Sequence, residues 1–178
     1  MNLLKSTLLP LLLVLTVPHS FAQKEFRTME STEQWILETL NKYSKKFIGK
    51  SNNYVHVMDS FQFRFADEQL FVSYIKVHTV LNSDSITQYN CQYKIPVKGV
   101  KGVIINNESS NHSYSIGIIV HGKNEIEYSN TSKERGEQKY TMKSAIIGFQ
   151  PIDEEQRLKL YRAFRKLNEH YNIENRKK

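Results

Sequence analysis

Apolar residues recur at steps of three and four in two segments, one near each end of the chain. The first segment predicts a helix over residues 32–48. Its apolar face is spaced by four, three and four residues and consists of Ile36, Leu40, Tyr43 and Phe47. We expect Ser31 or Thr32 to cap the first turn, with Gln34 as capping-box partner, and Gly49 to end the helix.

The second amphipathic segment follows Asp153, which is placed as N-cap with Gln156 three residues later. Its apolar stripe consists of Leu160, Phe164, Leu167 and Tyr171. The pattern therefore predicts a closing helix, and we expect the chain to fray from Asn172 onward.

Between the two helices the apolar period changes to two, which is typical of strands with one buried face. The pattern predicts about eight strands, over residues 54–58, 61–65, 70–81, 86–95, 100–105, 114–121, 125–129 and 140–149. Polar loops are expected at residues 106–112 and 130–138. Because the connections are short, antiparallel pairing is the economical topology, and the fold class is α+β.

This order of elements resembles the pleckstrin-homology-like fold. The resemblance is carried by the strand entry at residues 97–103 (VKGVKGV), the strand at 115–120 (SIGIIV) and the closing helix at 160–167 (LYRAFRKL). With the N-terminal segment described next, the chain resembles small exported Gram-negative bacterial proteins of uncharacterised function. The resemblance implies a bent antiparallel β-barrel or sandwich of seven to eight strands with a C-terminal capping helix. No lysine-arginine pattern matches the phosphoinositide-binding loop, so inositol lipid binding is not carried over.

Residues 1–22 have the pattern of a signal peptide, with Lys5 before an apolar run and small residues before a cleavage position at Ala22. Ten apolar residues of helix rise about 15 Å, about half of the hydrocarbon core of a membrane. We therefore expect a short linker at residues 23–30, one domain at 31–172 and a basic tail at 173–178. The mature protein is expected to be periplasmic or extracellular, soluble and without a transmembrane segment.

Few residues of the chain are candidates for catalysis or metal binding. Cys91 is the single cysteine and lies in a strand pattern, which favours a packing role over a nucleophile. His56 and His78 lie on neighbouring predicted strands and could converge, with random placement as the alternative, and no adjacent carboxylate or thiol supports a metal site. We predict no catalytic residues, no metal site and no cofactor.

The chain carries 25 Lys and Arg against 18 Asp and Glu, a net charge of +7. The excess is concentrated on the predicted helices. A contact with a polyanion would use Lys42, Lys45, Lys46, Lys50, Arg162, Arg165 and Lys166. The alternative interpretation is a solvated face with intrahelical ion pairs. Aromatic residues do not interleave these cations, so nucleic acid is not an expected partner.

Three functions stay open at this point. The first is a non-enzymatic binding module that uses exposed loops or a sheet edge, with an envelope protein or an anionic surface as partner. The second is a carrier of a small apolar ligand in a barrel cavity, which the ten Tyr and nine Phe residues would suit. The third is an envelope hydrolase, which no sequence motif supports.

Overall fold

The computed structural model describes residues 26–83, 85–108 and 113–176. Within them it contains two α-helices and nine strands. In chain order the elements are α1 (Met29–Tyr43), β1 (Phe47–Lys50), β2 (Tyr54–Ala66), β3 (Gln69–Val80), β4 (Ile86–Pro96), β5 (Val100–Glu108), β6 (Ser113–Val120), β7 (Ile126–Ser132), β8 (Gly136–Met142), β9 (Ser144–Gly148) and α2 (Glu154–Asn175), with a 3-10 turn over Val97–Gly99. The predicted signal peptide, its cleavage position at Ala22 and the end of the basic tail lie outside the described residues.

Helix α1 starts and ends earlier than its sequence pattern predicts. Thr28 is the N-cap, and its side chain and that of Ser31 each accept a hydrogen bond from the other's backbone N–H at 3.1 Å. The predicted cap at Ser31 or Thr32 was therefore wrong, and Gln34 bonds Glu38 instead. The predicted end at residue 48 was also wrong, because Phe47–Lys50 pairs with β2 as strand β1.

Six strands form one antiparallel sheet in the order β1-β2-β3-β4-β7-β8. We call the face that carries Leu70, Val72 and Tyr74 the inner face, since these side chains are buried while their neighbours along β3 are only partly covered. Tyr93 and Ile95 of β4 lie on the same face. The opposite face is the outer face.

A bulge part-way along strand β2 changes which of its side chains face inward. The sequence predicts two short strands here, but the structure has one strand with a bulge between Asp59 and Gln62. Ser60 has a φ of 60°, the left-handed conformation that a bulge residue adopts. As a result Phe63 and Phe65 share the inner face with His56 and Met58, although the two pairs differ in sequence parity.

The remaining three strands form a second antiparallel sheet in the order β5-β6-β9. The two sheets are not closed into a barrel, so the barrel implied by the resemblance was wrong. One cause is the end of β8 at Met142. The predicted single strand over residues 140–149 breaks there, because β8 pairs with β7 whereas β9 pairs with β6 of the other sheet.

The predicted loop at residues 130–138 was also wrong. Residues up to Ser132 continue β7, Gly136 begins β8, and the two strands form a hairpin. Gly136 has a φ of 65°, a conformation that glycine adopts without a steric penalty. Of the other predicted loop, residues 106–108 belong to β5 and residues 109–112 lie outside the described residues.

The prediction of the closing helix is confirmed. The Asp153 carboxylate accepts a hydrogen bond from the Gln156 N–H at 2.7 Å, and the buried stripe includes Leu160, Phe164 and Leu167. Arg157 ties α2 to β5 by donating to the Val103 carbonyl. The helix continues to Asn175, beyond the predicted start of fraying. Buried residues of both sheets and both helices belong to one core.

Candidate binding surface on the six-stranded sheet

Six aromatic rings follow one another across the inner face, and we call them the aromatic row. They are Phe63, Phe61, Tyr74, Tyr93, Tyr128 and Tyr140. Successive ring centroids lie 5.3 to 6.4 Å apart, which is contact distance for aromatic pairs. The row connects β2, β3, β4, β7 and β8, so its members reach one another only through strand pairing.

The middle of the aromatic row is buried and hydrogen-bonded. The Tyr74 hydroxyl donates to the Tyr93 hydroxyl at 3.1 Å, and the Cys91 sulfur lies 3.2 Å from the Tyr128 hydroxyl. Burial disfavours the charged forms and raises the pKa of Tyr74, Tyr93 and Tyr128 above the usual value for tyrosine.

Cys91 is packed within this cluster. It is 4% exposed, and burial raises the pKa of its thiol, against the opposing effect of hydrogen bonds with Tyr128 and Tyr74. A thiolate is the reactive form of cysteine, so this environment is that of a structural thiol.

Tyr140 ends the aromatic row on strand β8, at the edge of the sheet. Its side chain is 51% exposed, and its hydroxyl donates to the Gln138 side chain at 3.0 Å. Among the described residues β8 pairs only with β7, so one side of this seven-residue strand presents unpaired backbone groups.

A groove of about 600 Å³ runs along β4, β7 and β8 beside that edge. Two ion pairs line it. Lys94 of β4 pairs with Glu127 of β7 at 3.2 Å, and Lys139 pairs with Glu137 of the same strand, β8, at 3.2 Å. The groove thus carries charges of both signs next to exposed aromatic surface. Sequence reasoning missed it, because its sides belong to strands whose register the sequence does not give.

Of the two alternatives for His56 and His78, the structure shows convergence. They are directly opposite each other in the register of β2 and β3, on the inner face. In the part of the chain that the structure describes, no three His, Cys, Asp or Glu side chains are grouped so that they hold a metal ion.

The cations of the predicted polyanion contact are spread over several elements. Lys42 is in the last turn of α1 with its amine 4.8 Å from the centre of the Tyr43 ring, and Lys50 ends β1. Lys45 and Lys46 lie exposed between those two elements. On α2, Arg162 and Arg165 are exposed, whereas Lys166 forms an ion pair with Glu169 at 3.0 Å. Contact with a polyanion stays a prediction.

Comparison with family models, with curated proteins and with solved structures finds no match for this chain. A search of the described residues for a helix long and apolar enough to span a bilayer finds none.

Proposed function

We propose that this chain is an exported, non-enzymatic binding module of pleckstrin-homology-like fold, which captures an extended segment of a partner polypeptide along strand β8. The observation that carries the proposal is the free edge of β8, where Tyr140 stands 51% exposed at the end of the aromatic row. Export after cleavage at Ala22 and the pleckstrin-homology-like relationship are parts of the proposal. The order of one helix, a run of antiparallel strands and a closing helix supports the relationship.

An added strand suits this edge for two reasons. The unpaired N–H and C=O groups of β8 offer an incoming extended chain a row of backbone hydrogen bonds. The exposed Tyr140 ring then provides apolar contact for one side chain of the segment, and rings are favoured in interfaces because they bury much area at little entropic cost.

The charges beside the edge bear on which segments fit. Two cations, Lys94 and Lys139, and two anions, Glu127 and Glu137, line the groove. A segment with one strongly acidic or basic block would meet like charge at part of the groove, so we expect segments of low net charge with alternating apolar residues.

The alternative of a carrier with a barrel cavity is not retained, because the sheets do not close into a barrel. The aromatic residues that suggested such a cavity instead pack against one another in the aromatic row. The envelope hydrolase stays a prediction without a supporting site.

The test is selection of displayed random 12-residue peptides on the full chain, followed by amide hydrogen exchange with a selected peptide bound. We expect protection of alternate amides of β8 and a loss of affinity of about tenfold in Tyr140→Ser, the effect of removing one exposed ring from an interface. Tyr54→Ser is the matched control, because Tyr54 is also an exposed ring, 40% accessible, but lies on β2.

Three results would contradict the proposal. The first is a selection that yields no binders, and the second is protection confined to a surface other than β8. The third is self-association of the full chain that Tyr140→Ser abolishes in sedimentation, which would make a second copy, and not another polypeptide, the occupant of the edge.

A further inference from the structure

The inner face carries a second, separate group of side chains near the ends of β2 and β3 that lie opposite the β2–β3 turn. Lys76 and His78 are two residues apart on β3 and therefore point to the same face. His56 is directly opposite His78, and Met58 is directly opposite Lys76. This part of the face belongs to the half of β2 that precedes the bulge.

Arg135 lies in the β7–β8 turn, which follows the stretch of β7 that pairs with β4 at Thr131 and Asn90. Its backbone N–H donates to the Ser132 hydroxyl at 3.1 Å, which fixes the start of the turn. The positive charges of Lys76 and Arg135 both act on the His78 ring. We call Lys76, His78 and Arg135 the cationic shelf.

The cationic shelf has no anionic partner among the described residues. The described ion pairs involve neither Lys76 nor Arg135. Within the turn, Lys133 and Glu134 offset each other in charge and leave Arg135 in excess. Two like charges that act on the same ring, with no described carboxylate paired to either, favour an anion at this place.

Aromatic surface borders the cationic shelf. The Tyr54 ring lies 4.8 Å from the His78 ring, edge to face, and 6.1 Å from the His56 ring. Tyr54 is 40% exposed. The His78 Nε2 atom is buried and has no hydrogen-bond partner among the described residues, so the polar interactions of this ring are incomplete.

We propose that the cationic shelf binds the carboxylate or phosphate of a small aromatic ligand, whose ring lies against Tyr54. Lys76 and Arg135 pair with the oxyanion, and charge-assisted hydrogen bonds to guanidinium and ammonium groups are the strong ones. The ring of the ligand contacts the exposed part of Tyr54 in one of the usual aromatic geometries. The proposal does not depend on peptide capture at β8.

His78 makes the proposed binding depend on pH. Its pKa in the free protein is below the ordinary value of histidine, first because of partial burial and then because of the charges of Lys76 and Arg135. A bound anion offsets those charges and raises this pKa. The complex therefore takes up a proton that the free protein lacks, and affinity increases as the pH falls.

Other titratable or charged groups lie on the elements around the cationic shelf. From β2 these are His56 and Tyr54, from β4 Tyr89, and from the β7–β8 turn Lys133 and Glu134. Of these only His56 is also a histidine, so His78→Gln and His56→Gln are compared directly.

The test is titration calorimetry of the full chain with benzoate, phenyl phosphate, inorganic phosphate and the uncharged control phenol. We expect one site, with benzoate bound at least threefold more tightly at pH 5.5 than at pH 7.5. Benzoate keeps its charge over this range, because carboxyl groups have pKa values near 4. His78→Gln should remove the pH dependence, while His56→Gln should retain most of it.

Two further comparisons test which residues contact the oxyanion of the ligand and which contact its ring. Lys76→Gln and Arg135→Gln should each weaken benzoate binding about fivefold, whereas Lys101→Gln, an exposed lysine on β5, should not. Tyr54→Ser should weaken phenyl phosphate but not inorganic phosphate. Shifts of the His78 ring protons on addition of benzoate to the unmodified chain give the same assignment without any variant.

Several results would overturn the proposal. They are no binding at millimolar benzoate and phenyl phosphate, equal binding of phenol, and equal losses in Lys101→Gln and Lys76→Gln. Binding to vesicles that contain anionic lipid, with no binding of the soluble anions, would also overturn it, because the surface would then recognise a bilayer and not a small aromatic anion.

Discussion

At the scale of single residues, Gly148 marks a close approach between two backbone segments that are far apart in the sequence. The space that a Cβ atom would occupy there is filled by the Lys45 carbonyl oxygen and the Phe47 side chain. The Lys45 N–H donates to the Gly148 carbonyl at 2.8 Å, so backbone meets backbone without an intervening side chain. This contact joins the segment after α1 to the end of β9.

Gly148→Ala is expected to lower the free energy of unfolding by about 1–3 kcal/mol, the usual cost of forcing an added methyl group into a packed site. The Lys45 carbonyl is backbone and cannot rotate away, so the hydrogen bond to β9 must lengthen. Urea unfolding followed by Trp35 fluorescence measures the change. Gly102→Ala is the control, because no atom lies within 4 Å of its added Cβ. Equal losses in both variants would contradict this account.

At the scale of elements, helix α2 is fixed at its first turn and along one stripe. Asp153 caps the helix, and Glu154 forms an ion pair with Arg157, whose guanidinium also donates to β5. The neighbouring Arg157 lowers the pKa of the exposed Glu154 carboxyl by hydrogen bonding. The position of α2 therefore depends on contacts made at its N-terminal end as well as on its buried stripe.

Asp153→Ala is expected to cost about 1 kcal/mol of stability, because the Gln156 N–H loses its acceptor at the helix N-terminus. Asp153→Ser keeps a capping oxygen and should recover most of the loss. Thermal and urea unfolding of the two variants provide the comparison. If serine and alanine destabilise the chain equally, the cap does not contribute as described.

Sequence patterns predicted the elements in which the spacing of apolar residues reflects the face that the element itself buries. Helix α2 and strands β3 and β4 follow from local spacing and short connections, as does the placement of His56 and His78 on neighbouring strands. The patterns failed where a distant partner decides the conformation. Phe47 continues the helical spacing of α1 but pairs with Met58 as a strand, and nothing local marks that choice.

The candidate sites were harder to predict for the same reason. The loop predicted at residues 130–138 is a hairpin, and its strand pairing, and hence the β8 edge, depends on register. The cationic shelf joins Lys76 to Arg135 across three strands and a turn, and sequence spacing carries no information on that proximity.

At the scale of the whole molecule, the C-terminal end of helix α2 and the cationic shelf lie toward opposite ends of strands β2 and β3. Helix α2 contacts the β2–β3 turn through Asn175, which donates to Glu68 at 2.7 Å. The cationic shelf lies toward the opposite ends of the same two strands. Stability contributed by the helices and binding at the shelf are thus expected to respond to different substitutions.

Phe164→Ala tests whether the chain unfolds as one unit. Phe164 is 1% exposed and belongs to the core shared by both sheets and both helices, so we expect a loss of about 3–5 kcal/mol. Trp35 fluorescence and far-UV circular dichroism should report the same, lowered midpoint. Two separated midpoints would mean that the sheets unfold independently. Benzoate binding by the folded variant should be unchanged.

The bulge at Ser60 makes the surface beside the cationic shelf sensitive to the length of strand β2. One extra residue there decides whether the first half of β2 directs His56 or its neighbours Val55 and Val57 toward the cationic shelf. A deletion of one residue near position 60 would leave the composition of the strand almost intact and yet exchange a histidine for valine on that surface. In any relative, a change in the length of β2 alone would therefore gain or lose the His56 and Tyr54 rings beside the cationic shelf, without replacement of a single shelf residue.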